Sequence, residues 1–175
     1  MAVGDRYYRF ERFTPQQVFR WIDAGRKRPI RMDGYRIDGI MSNRVMTYHH
    51  GGCTCVACGR VGTHFFAEAD VYDMQLLKWF FNPLDNPIPT AHLNLYGYDP
   101  GGGEFMITSD HVVPKSRGGD DGVGNRVPLC ASCNFIKGND PDWLTDLPKN
   151  SKGDLIHRKN RQLKIAPVEK EHAHA

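Results

Sequence analysis

Apolar positions recur along the chain with two different periods. Val18, Trp21 and Ile22 stand at i, i+3 and i+4, the spacing of one helix face. Thr14 before Pro15 supplies a cap and a proline at the first helical position. A short amphipathic helix is therefore predicted over 15–25, ended by Gly25 and the run Arg26-Lys27-Arg28-Pro29. Residues 30–50 carry β-branched and aromatic residues broken by Gly34, Gly39 and Ser42-Asn43, which predicts one or two short strands. Cys53 to Gly59 reads as a tight turn. Strands are predicted over 63–68, 91–97 and 104–113, the last ended by Pro114, and Arg126 to Leu129 is short and extended. Val71, Leu77, Phe80 and Phe81 give one apolar side to a helix over 71–81, capped by Asp70. Another helix begins near Ala131 and fails at Gly138, and a third is predicted over 154–164. Residues 83–89, 99–103 and 115–125 read as loops, and the last ten residues as disordered.

At 175 residues, with 40% hydrophobic and 25% charged positions, the chain can bury a core, and wholesale disorder is excluded. No apolar run reaches the ~18 residues needed to span a bilayer. Met1 to Arg6 lacks the apolar stretch of a secretory signal, so a cytoplasmic protein is expected. Net charge is only +3, but it is unevenly spread. Residues 1–30 are rich in Arg and Lys, and Lys149, Lys152, Arg158, Lys159, Arg161 and Lys164 accompany Asp154 alone over 149–164. Two basic ends around a less basic middle fit a surface that follows phosphates, although solvated tails have the same composition.

The five cysteines fall in two clusters: Cys53, Cys55 and Cys58, then Cys130 and Cys133. An odd count in a chain without a secretory signal points to metal rather than disulfides. Cys55-Val-Ala-Cys58 and Cys130-Ala-Ser-Cys133 are two Cys-x-x-Cys turns, and two such turns complete a tetrahedral zinc site. With all four positions filled by sulfur the zinc is structural, joining segments distant in sequence. Cys53 is the spare.

Directly before the second cysteine pair stand Asp110-His111 and Gly118-Gly119, then Asn125-Arg126-Val127-Pro128-Leu129-Cys130, and after it Asn134 and Lys137. Hydrolysis of a phosphodiester needs a base for water and a hard cation for the phosphate. An imidazole can accept a proton near neutral pH. Asp110 with an amide oxygen of Asn134 would make a Mg²⁺-like oxygen set. Neighbours in a strand point to opposite faces, so Asp110 and His111 are expected to share a site through a bend or bulge near Pro114.

Asp-His, a Gly-Gly loop, an Asn, Leu-Cys-x-x-Cys-Asn and a Lys together resemble the HNH (ββα-metal) endonucleases of the four-cysteine zinc subgroup. The resemblance covers 104–139 and extends to the first cysteine turn at 53–59. It implies a small α+β fold, a ββα-metal finger braced by zinc, that cleaves double-stranded DNA and leaves 5′-phosphate and 3′-hydroxyl ends. His111 would be the general base, Asp110 and Asn134 the Mg²⁺ or Mn²⁺ ligands, and Asn125 the residue that ties the loop and orients the histidine. Lys137 would lie near the phosphate. Lys115, Arg117 and Arg126 flank the site and are candidate DNA contacts. Asn134 stands where many members have His, which favours a hard cation. Phage, mobile-element and restriction enzymes are the implied types, and a homodimer would supply the two sites a double-strand break needs.

The expected organisation is an extension over 1–50, an HNH domain over 51–147 and a basic tail over 148–175. Competing readings are a non-catalytic zinc-dependent DNA-binding module and a zinc-stabilised protein-interaction domain. His64 and Glu68 read as structural, His49-His50 as a weak alternative zinc ligand, and Trp79, Phe80 and Phe81 as core. His172 and His174 fall in the tail.

Overall fold

The computed structural model describes residues 7–71 and 88–144. Beyond its first residue the helix predicted over 71–81 lies outside them, with Trp79, Phe80 and Phe81. So do most of the 83–89 loop and everything predicted for 148–175.

In chain order the elements are β1 (Tyr7–Phe13), α1 (Pro15–Asp23), β2 (Ile30–Arg31), β3 (Arg36–Ile37), α2 (Asn43–Gly51), β4 (His64–Asp70), β5 (Thr90–Tyr98), β6 (Glu104–His111), β7 (Arg126–Cys130) and α3 (Ala131–Lys137). α1 starts as predicted. The Thr14 hydroxyl accepts from Gln17 N–H while the Gln17 side chain accepts from Thr14 N–H, a reciprocal cap, and Val18 and Ile22 are buried.

Residues 30–50 depart from expectation. Two two-residue strands form, but 43–51 is helix. Ser42 accepts from the Val45 N–H, and Val45 and Tyr48, three apart, are both buried. The cap and spacing are present in the sequence, but the β-branched and aromatic side chains that suggest a strand here pack a helix against β6 and β7.

The sheet sets up the site. β1, β4 and β5 pair antiparallel. The other edge of β5 is shared: β3 pairs parallel at Thr90 and Ala91, and β6 antiparallel from Leu95 to Tyr98. His92, Leu93 and Asn94 have no strand beside them on that edge. β6 then diverges from β5, and its last residues, Thr108 to His111, pair with β7 alone. The sheet therefore forks between β5 and β6, and α2 sits against the β6 branch. Tyr48 Oη donates to the Ile107 carbonyl at 2.8 Å, and the Thr47 and Ser109 hydroxyls lie 2.9 Å apart.

A buried charge stiffens the fork. Glu68 is 1% exposed and accepts from Arg9 Nε at 2.8 Å, Asn94 Nδ2 at 2.7 Å and Tyr96 Oη at 2.9 Å. Asn94 Oδ1 in turn accepts from Arg44 Nη1. A buried carboxylate persists only when so fully bonded. His64 is buried as well, so both residues read as structural are interior.

Candidate functional site

The two cysteine turns meet. Gly59, at φ 77°, allows the reversal that returns its N–H to the Cys55 carbonyl at 2.9 Å, and the Val56 N–H donates to the Pro128 carbonyl at 3.0 Å. The first turn is thereby tied to β7, which delivers Cys130 to the start of α3. The sulfurs of Cys55, Cys58, Cys130 and Cys133 all lie within 4.8 Å of one another, and those of Cys58 and Cys130 are 3.7 Å apart. A tetrahedron with Zn–S bonds of about 2.3 Å has edges of about 3.8 Å, so four mutually close sulfurs fit zinc. Sulfur contacts within the cluster push the Cys55 and Cys130 thiols toward thiolate and those of Cys58 and Cys133 away from it, because four crowded sulfurs repel one another's charge unless a cation lies among them. Cys53 stays outside the cluster, its thiol pushed up to about 11 by burial. His49 lies outside the four-sulfur cluster, its Nε2 2.8 Å from Asp23 Oδ1.

β6, β7 and α3 carry the remaining site residues. Asn134 and Lys137, one turn apart, face β6. Asn134 Nδ2 donates to Thr108 Oγ1 at 3.0 Å, and Thr108 Oγ1 donates to the Leu129 carbonyl. The Asn134 amide is thus held by its nitrogen, leaving its oxygen for another partner. Two residues on from Thr108, Asp110 Oδ2 lies 2.8 Å from Lys137 Nζ. The pair is ionic but not aligned as a hydrogen bond, so Asp110 Oδ2 is shielded from solvent without a hydrogen-bond partner. Lys137 is itself buried. The structure places Lys137 as the counter-ion of Asp110, because α3 packs on β6 and turns the lysine inward.

No bulge brings Asp110 and His111 together. β6 and β7 pair in unbroken register from Ile107–Cys130 to His111–Arg126, which corrects the expected distortion. The two side chains leave opposite faces of the strand end: Asp110 toward α3, His111 toward the following loop. There His111 Nε2 lies 3.0 Å from Asp121 Oδ1. Asp121 also meets Lys115 Nζ at 2.8 Å and the Arg126 guanidinium. Lys115, then Arg126, then His111 hold its carboxyl below the usual carboxylate range. Asp121 was missed from sequence because an Asp in a polar glycine-rich loop reads as a turn residue. Arg126 Nη1 also reaches Ser109 Oγ at 3.3 Å, and Arg117 is exposed.

Asn125 closes the loop. Its Oδ1 accepts from Val113 N–H at 2.9 Å, and its Nδ2 donates to the Val113 carbonyl at 2.9 Å and the Asp120 carbonyl at 2.8 Å. Gly119 passes so near that a Cβ there would lie 1.8 Å from the Val113 oxygen. Asn125→Ala forfeits three hydrogen bonds, each worth about 0.5–1.5 kcal/mol net. We expect a modest fall in melting temperature by circular dichroism, with faster amide exchange confined to 112–125. Unchanged exchange in that loop would count against Asn125 as its tie.

Residues 100–140 match the family model of the HNH endonucleases. This chain carries an HNH domain. Its two strands and helix are β6, β7 and α3, and the four-cysteine cluster braces them, giving the mixed α+β, ββα-metal fold the motifs implied. HNH domains form a nuclease family that binds metal and acts on DNA. No curated protein and no solved structure matches the chain. Among the described residues no helix is long and apolar enough to cross a membrane.

Proposed function

We propose that this HNH protein is a metal-dependent endonuclease that hydrolyses phosphodiester bonds of double-stranded DNA. The observation that carries the reading is that, within the stretch matching the HNH family model, the end of β6 carries an imidazole held by Asp121 and, on its other face, a carboxylate beside an amide held by its nitrogen. Thr108 to His111 pair with β7 alone, and His111 at the strand end is only partly buried. The Asp110 carboxylate, which meets Lys137 through Oδ2, and the Asn134 oxygen are hard donors that suit a hard cation. Asp110 and Asn134 would hold Mg²⁺ or Mn²⁺, which when bound stabilises charge on the phosphate and the leaving 3′ oxygen. The four cysteines would hold a structural zinc.

His111 takes the proton of the attacking water. A carboxylate only accepts hydrogen bonds, so the contact with Asp121 puts the ring proton on Nε2 and leaves Nδ1 as the base. Asp121 therefore positions His111. Asn125 holds the loop that presents Asp121, and Lys115, Arg117 and Arg126 offer cations to the flanking phosphates. Lys137 keeps Asp110 charge-balanced on the buried side. Asp121→Asn keeps an acceptor oxygen but lets the amide flip and removes the charge. We expect kcat to fall about 10- to 100-fold, the range for partners that orient a functional His, with KM little changed. A rise in KM alone would make Asp121 a binding residue instead.

Plasmid nicking with and without Mg²⁺ tests the whole reading. Cleavage that requires the cation supports it, and stable DNA binding with no cleavage under any divalent cation would leave a DNA-binding module.

A further inference from the structure

The fork between β5 and β6 opens into a polar cleft of about 590 Å³. Asn94 and His92 of β5 line one wall and Ser109 of β6 the other, with Gly39 and Arg44 at the α2 end and Asp121 at the catalytic end. The cleft is built mostly by residues outside the HNH motif, yet it shares Asp121 with His111. Asn43 Nδ2 donates to the Asp121 carbonyl at 2.6 Å, which joins the α2 end of the cleft to the catalytic loop.

We propose that this cleft takes one unstacked nucleotide of the DNA strand, next to the scissile phosphate, and that it sets the base preference of cutting. This rests on the nuclease reading given above. The size is that of a small-ligand site, about 300–1,000 Å³. The lining carries Asp38, Glu68, Asp70 and Asp121 beside Arg44 and Arg126; Glu68 and Asp121 are paired with Arg9 and Arg126, which leaves Arg44 as the cation for a phosphate and the polar walls for a base. Arg44 is exposed with one nitrogen pinned to Asn94, so its remaining N–H groups are aimed rather than floppy, a geometry suited to phosphate or a base edge. The Ala91 carbonyl faces β3, accepting from the Asp38 N–H. By strand alternation the Leu93 backbone N–H and C=O face the gap and present a donor–acceptor pair. Asn94, only 6% exposed, is locked between Arg44 and Glu68, so the wall is preorganised. Enzymes that read a base outside the stack hydrogen-bond its edge within a pocket.

Two measurements on the full chain test this. The first is an NMR titration of the wild type with each of the four deoxynucleoside 5′-monophosphates. We expect shifts at the Gly39 and Leu93 amides and the Asn94 side-chain amide, differing among the four bases. No shifts there, or shifts identical for all bases, would overturn the proposal. The second is sequencing of the ends cut from random DNA by wild type and by Arg44→Gln and His92→Ala. We expect a base preference within two nucleotides of the cut that is flattened at least several-fold in the variants. A wild type without preference, or variants that keep it while folding normally, would equally overturn it. Should the wild type cut nothing, the nuclease reading fails, while the titration still decides whether the cleft binds nucleotides.

Discussion

His111→Ala is expected to lower the rate of DNA cleavage by about 10²- to 10⁴-fold, the usual contribution of a positioned general base. The fold should be unaffected. His111 ends β6, and among the described residues its polar side-chain contact is with a half-exposed carboxylate, so its removal leaves no large cavity. Single-turnover nicking of a supercoiled plasmid measures the chemical step, and a parallel binding curve separates it from affinity. DNA affinity should stay within a few-fold of wild type, because phosphate binding is carried by Lys and Arg side chains. A variant that nicks at the wild-type rate would remove the imidazole from the chemistry and leave a DNA-binding module as the better reading.

The second large effect concerns the four-sulfur cluster. Cys130→Ser is expected to abolish cooperative folding, and a strong chelator should do the same to the wild type. Structural zinc contributes about 10–16 kcal/mol of binding free energy, against a net domain stability of about 5–15 kcal/mol. Cys55, Cys130 and Cys133 are all buried among the apolar residues of the core, so loss of metal would leave thiolates crowded in the interior. Thermal unfolding by circular dichroism, with metal content measured on the same sample, is the check. A sharp transition at an unchanged temperature in Cys130→Ser would sink the structural zinc. Cys53→Ser serves as the control, since its thiol lies outside the cluster, and should melt close to wild type.

Much of the candidate site could be read before any coordinates. Cys-x-x-Cys spacing is local chemistry, and so are the Asn125 tie across one loop and the start of α3 at the second cysteine pair. Each depends on contacts that a few turns of chain can make by themselves. α1 was legible for the same reason, since its cap, proline and apolar face lie within one short segment.

Three features required the assembled chain. α2 formed where strands were predicted, because burial of Val45 and Tyr48 against β6 and β7 outweighs the weak strand preference of their side chains. Lys137 turned inward to Asp110 because α3 packs flat against β6. Asp121 became the partner of His111 only when the loop folded back under the Asn125 tie.

The sequence by itself determined which four cysteines form the sulfur cluster, the order of the HNH motif and the identity of the candidate groups for the chemistry. These follow from side-chain type and short spacing. The tertiary structure alone decided which carboxylate meets which cation, and where β5 and β6 part to leave a cleft. Such pairings join residues tens of positions apart, and their outcome depends on burial and strand register, which no local pattern encodes.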